Sequence, residues 1–111
     1  MTKEGHVITA SEAGIAVKTP SDISDVISAC IGKYGLILTP DDLSPEFFDL
    51  RTGLAGELFQ KCVNYRVRIA IIVPDPNAYG DRFSELAYEH QSHDVVRIVP
   101  SEDNARAWLS R

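Results

Sequence analysis

The longest unbroken apolar run in these 111 residues is Ile69-Ala70-Ile71-Ile72-Val73, far short of the ~20 residues a membrane-spanning helix needs. No membrane span is expected. Basic side chains are also scarce. Eleven Lys and Arg against sixteen Asp and Glu leave a net charge of -5, and no segregated basic patch offsets it, which argues against nucleic acid and against anionic membrane surfaces. Two cysteines, Cys30 and Cys62, are too few for a disulfide scaffold and fall on apolar helical faces, so they read as buried thiols. The start, Met1-Thr2-Lys3-Glu4-Gly5-His6, is polar and unlike a targeting segment. A cytoplasmic location is expected. Repeats, heptads and low-complexity tracts are lacking as well.

What is present is the composition of an average globular domain, 44% hydrophobic and 24% charged. Residues 1–111 are therefore read as one domain. His6-Val7-Ile8-Thr9 and Gly14-Ile15-Ala16-Val17-Lys18 are rich in β-branched residues and separated by Ala10-Ser11-Glu12-Ala13, which predicts an N-terminal β-hairpin. Ser21 as N-cap and Asp22 at the positive end of the helix dipole open a helix whose Ile23, Val26, Ile27, Cys30 and Ile31 share a face. It ends at Gly32 to Gly35, before a short strand, Leu36-Ile37-Leu38. Ser44 and Pro45 start a second helical stripe running from Phe47 to Val63, broken by Gly53 and Gly56. A bend is predicted there. Val67 to Val73 reads as a central strand covered on both faces. Phe83, Leu86, Ala87 and His90 mark a third helical face, Val95 to Val99 the last strand, and Ser101 caps a helix with Ala105, Trp108 and Leu109 inward. The fold class is α/β: a hairpin followed by β-α repeats, with a mostly parallel sheet covered by helices. Ligands usually meet such sheets at the carboxyl edge of the strands.

Ser44-Pro45-Glu46-Phe47-Phe48-Asp49-Leu50-Arg51-Thr52-Gly53-Leu54-Ala55-Gly56-Glu57, with Asn64-Tyr65-Arg66-Val67 and Ala107-Trp108-Leu109, resembles the bacterial proteins grouped as domain of unknown function family 4180, over nearly the whole chain. Membership implies a fold and no known activity. The segment Phe48-Asp49-Leu50-Arg51-Thr52-Gly53-Leu54, followed by a helix and then Val67 to Val73, is similar to the anti-sigma factor antagonist (STAS) family, in which a serine at a helix start is phosphorylated by a partner kinase. Thr52 stands in that serine's place, and Arg51 where the family has a small polar residue. The ending from Val95 to Leu109 is similar to the SpoIIAA-like branch, which is suspected to bind apolar ligands.

Thr52 with Gly53 and Gly56 reads either as an anion-binding or phosphorylated helix start or as a cap with close helix packing. Gly53 and Gly56 also have the spacing of an RNA-binding backbone clamp, which the acidic balance opposes. Asp49, Arg51 and Glu57 are the candidate catalytic residues, if there are any, with an acid of raised pKa beside an arginine; the plainer reading is an ion pair holding the bend. Asp41, Asp42 and Asp75 read as turn residues rather than ligands for a cation, and Asp42 is expected to hold Leu43-Ser44 in a turn. No metal and no cofactor is expected. His90 and His93 read as a helix-end pair complementing the dipole. Tyr79, Phe83, Tyr88 and Trp108 read as core, with an apolar pocket or interface as the alternative. The reading this supports is a non-enzymatic STAS-like binding module, self-associating as a homodimer or meeting a protein or small ligand through Arg51, Thr52, Gly53, Asp75, Asn77 and Tyr79. The alternative is a small hydrolase or lyase acting on an anionic substrate, with Arg51 as clamp and Asp49 or Glu57 carrying the proton.

Overall fold

Among the described residues four strands, β1 (Val7–Thr9), β2 (Gly35–Leu38), β3 (Ile69–Ile72) and β4 (Val96–Val99), form one sheet in the order β1-β2-β3-β4, every neighbour parallel. The computed structural model describes residues 7–110. Chain order and sheet order coincide, so each strand reaches the next by a crossover. The helices of these crossovers are α1 (Ala10–Ala13) and α2 (Ile23–Cys30), then α3 (Pro45–Phe48) and α4 (Leu54–Tyr65), then α5 (Asp81–Glu89). A sixth helix, α6 (Glu102–Leu109), follows β4.

Side-chain alternation along the strands divides the core in two. Leu36, Leu38, Ile69, Ile71, Val96 and Ile98 pack with the buried residues of α2, α4 and α5 on one face. Successive crossovers of one hand put their helices on one side, which accounts for the crowding there. Ile37, Ala70 and Val99 point the other way, where α6 covers them with Ala105, Trp108 and Leu109. β3 thus lies inside the sheet with helices over both faces, as its continuous apolar run requires. α6 sits close to the sheet because position 35 is glycine: a β-carbon there would collide with the Leu109 side chain. Trp108 lies under two guanidinium groups, Arg97 at 4.6 Å and Arg68 at 5.3 Å from the ring centre. Arg68 also donates to the carbonyls of Leu109 (2.8 Å) and Trp108 (3.4 Å), which closes the end of α6.

The expected hairpin does not form. His6, at the start of its first strand, lies outside the described residues, and Val7–Thr9 pairs in parallel with β2. The four residues read as its turn are α1: Thr9 Oγ1 accepts from the Glu12 N–H (3.1 Å) while Glu12 accepts from the Thr9 N–H (3.0 Å), a capping box that winds the chain into a helix, and Gly14 ends it with φ +70°. Val17, read as part of the second strand, instead makes a single parallel bridge to Leu43. The start of α2 also differs. Its entry is a 3-10 turn at Pro20–Asp22 whose Asp22 carboxylate accepts from the N–H groups of Lys18 and Thr19, while the Ser21 hydroxyl bonds to that of Thr19 and caps nothing.

Candidate functional site

The crossover from β2 to β3 occupies residues 39–68 and breaks twice, and the breaks open a cleft. Pro45 starts α3 without needing an N–H partner, and Asp49 stops it after one turn. The Asp49 carboxylate accepts from the Arg51 N–H (3.1 Å), which caps a 3-10 turn at Leu50–Thr52, and takes the Arg51 guanidinium in a fork at 3.0 and 3.1 Å. Gly53 then turns the chain with φ +81°, the left-handed region where a side chain is strained, and α4 begins. The predicted bend is therefore a full interruption. Phe47 is buried in the core, and the half-buried Phe48 packs on the edge of that core and lines the gap toward the crossover after β3.

That crossover supplies the other wall. Asp75 caps a 3-10 turn at Pro76–Tyr79 by accepting from the Asn77 N–H (3.2 Å), and the turn lays the Tyr79 ring flat on Phe48, centres 3.9 Å apart and planes 11° apart. Phe83 meets both rings edge-on, at 5.1 Å from Phe48 and 5.7 Å from Tyr79. Beside this stacked pair is an open cleft of about 590 Å³ whose polar rim carries Asp49, Arg51, Asp81 and Arg82. It lies where the segments after β2 and β3 meet. The strand order never reverses, so no switch point creates it; the interrupted crossover does.

Of the candidate residues, Asp49, Arg51 and Tyr79 come together in this cleft. Thr52 and Gly53 follow directly in the chain, but the Thr52 hydroxyl is committed to the carbonyls of Glu46 (2.7 Å) and Asp49 (2.8 Å) and accepts from the Leu54 N–H (3.3 Å). It ties the two breaks together. Asn77 turns away, its side chain accepting from Ser84 Oγ at 2.7 Å beside a neighbouring groove of about 290 Å³ that Tyr88 also lines. Glu57 lines a third groove, on the helix face, with Lys61. Trp108 lies across the sheet. The acid of raised pKa is corrected: the Arg51 guanidinium, and then the Arg51 N–H, hold the Asp49 carboxyl below its ordinary value, and the pairing raises Arg51 in turn. The ion pair at the bend is what the structure contains.

Asp42 accepts from the N–H and hydroxyl of Thr39 (2.8 and 3.1 Å), so it bonds backward and not to Leu43-Ser44 as expected. Among the described residues no three His, Cys, Asp or Glu converge as metal ligands. His90 and His93 stack, centres 4.9 Å apart; His90 is the C-cap of α5 and its Nδ1 lies 3.1 Å from the Leu86 carbonyl of the last turn, as expected of a helix-end histidine, while His93 lies beyond the helix. His93 Nδ1 accepts from the N–H groups of Val95 (3.0 Å) and Val96 (3.2 Å), so that ring positions the entry to β4 and does not complement a dipole. Cys30 and Cys62 are free and buried, and desolvation pushes both thiols up to about 12.

Sequence reasoning missed Phe48 and Arg82. Phe48 left no signal, since neighbouring helical residues such as Leu58 and Phe59 are both buried in the same core; Arg82 did. Arg82 sits in the first turn of α5, where the dipole disfavours a cation, and its side chain has no hydrogen-bond or ion-pair partner among the described residues.

The fold and cleft define a parallel α/β protein with an aromatic, arginine-rimmed recess at the carboxyl edge of its sheet. The chain belongs to the family described as Domain of unknown function (DUF4180), whose model matches residues 2–109. No curated protein and no solved structure matches it.

Proposed function

We propose that this chain is a non-enzymatic regulatory binding module, of the STAS-like kind, that takes a ligand or partner group in the cleft beside the stacked Phe48 and Tyr79 rings. The group is flat, apolar and acidic: an aromatic or otherwise planar carboxylate, free or at the end of a partner segment. One juxtaposition carries this reading. A stacked aromatic wall with an exposed edge stands beside Arg82, a guanidinium with no partner of its own, in a recess of ligand size. Consecutive β-α units in one parallel sheet support kinship with STAS-like modules; the parallel pairing of β1 sets this chain apart from a hairpin-led sheet.

Binding is favoured over proton-transfer chemistry by the two carboxyls assigned to it. A general acid or base works best with a pKa near the working pH. Asp49 is displaced the other way, and Glu57 lines a different groove. Titration of the ¹⁵N-labelled protein with benzoate, benzamide and acetate tests the proposal. Benzoate, which has both the ring and the charge, is expected to shift the amides of residues 48–51 and 79–83 saturably, at about millimolar affinity for so small a probe, and the other two more weakly. Arg82→Ala and Tyr79→Ala should abolish the response without unfolding the protein. Saturable shifts elsewhere only, or none with any probe, would overturn it.

A further inference from the structure

α2 and α4 run side by side over the sheet, with Ile23, Val26, Ile27 and Leu54, Leu58, Cys62 turned into the core. Their outward sides enclose a groove of about 530 Å³ that shares no residue with the aromatic cleft. Its two ends differ. At the C-terminal ends of the helices stand Ile31, 67% exposed, and Tyr65, 62% exposed, the most exposed large apolar side chains of the described residues apart from Tyr88. At the other end Pro20, Ser21, Ser24 and the buried Ile23 line it, and no large apolar side chain stands out from the surface. Midway along α4, Glu57 and Lys61 line the groove one helical turn apart. That spacing and order favour an ion pair within the helix, yet neither side chain has a partner among the described residues.

We propose that this face is the interface of a two-fold symmetric dimer of the chain. A symmetric interface is self-complementary, so every feature must meet its own counterpart. Laying a second α4 antiparallel along the groove does this twice. Glu57 meets Lys61 of the partner subunit and Lys61 meets the partner's Glu57, while the large end, Ile31 and Tyr65, falls on the partner's end with no projecting apolar side chain. Parallel packing would set like charges together and large against large. The charge pattern and the size gradient, two separate observations, thus select the same occupant and the same orientation.

Light scattering and sedimentation equilibrium on the full chain, over micromolar to millimolar concentration at low salt, read the result. The wild type is expected to dimerise. Lys61→Glu and Glu57→Lys should each weaken the dimer by about tenfold or more, since each sets two like-charge pairs in the interface, although they change net charge in opposite directions. Mixing the two single variants should restore a heterodimer, and the double swap a homodimer. Tyr65→Ser should weaken association too, and circular dichroism should show each variant folded, all these positions being exposed. A wild type that stays monomeric throughout would overturn the proposal, as would a dimer indifferent to both reversals, which would place the contact on another face. The benzoate response of the cleft is read separately, so either reading can fail alone.

Discussion

Gly53 and Gly56 lie three residues apart in one motif and answer to different forces. Gly53 is held at φ +81°, and an alanine there is strained although its β-carbon meets nothing within 4 Å. The close helix packing offered as one reading of Gly56 is absent: it lies inside α4, exposed, with open space where a β-carbon would go. Gly53→Ala is therefore expected to cost ~1–2 kcal/mol, and Gly56→Ala to gain ~0.5–1 kcal/mol by removing backbone freedom from the unfolded chain. Urea unfolding of both variants checks the opposite signs; equal losses would mean that Gly56 packs closely after all. Acid acts at the same scale. The N–H of Lys18, then that of Thr19, holds the Asp22 carboxyl below its ordinary value. A carboxylate so held contributes stability that is fully present above about pH 4 and disappears as pH falls through its lowered value. Asp22→Asn should thus melt lower than wild type at neutral pH, with the gap closing below pH 4. A gap that persists unchanged into strong acid would assign the loss to something other than the carboxylate charge.

Among the elements, those with long apolar periodicity were legible and those set by local hydrogen bonds were not. α2, α4, α5 and α6 and the strands β2, β3 and β4 all lie where periodicity placed them, within a residue or two. α1 and two of the 3-10 turns were missed, although three copies of one signal marked them: Thr9 with Glu12, Thr19 with Asp22, and Thr39 with Asp42 each place a threonine three residues before an acid, and in all three the acid accepts from the threonine N–H, with the full reciprocal capping box at Thr9. Read as such, Ala10 to Ala13 would have been a helix and the hairpin would never have been expected. The cleft was half legible for a related reason. Asp49, Arg51 and Tyr79 belong to marked motifs, whereas Phe48 and Arg82 become part of it only when two crossovers from different parts of the chain meet. α6 carries the clearest energetic test. Trp108 is 5% exposed, packs in the cluster of Ile37, Ala70 and Val99, and has two guanidinium groups over its ring. Trp108→Ala should cost ~3–5 kcal/mol through lost burial and a cavity that cannot close. The control is Ala107→Ser, on the exposed side of the same helix. A denaturation midpoint shared by Trp108→Ala and wild type would show that α6 contributes nothing to the fold.

For the whole molecule, the three surfaces divide by chemistry. The aromatic recess sits at the carboxyl edge of the strands, the α2 and α4 face lies over one side of the sheet, and α6 closes the other. No helix of the described residues is long and apolar enough to cross a membrane. The sheet's two sides also differ in when they can be covered. As the chain leaves the ribosome, each new strand brings the helix that shields its first side before the next strand arrives. The opposite side, with Ile37 and Ala70, stays bare until α6 has emerged after β4. A chain cut off before residue 102 would therefore leave one apolar side of the sheet open to any chaperone, and the eight residues of the last helix would hide it.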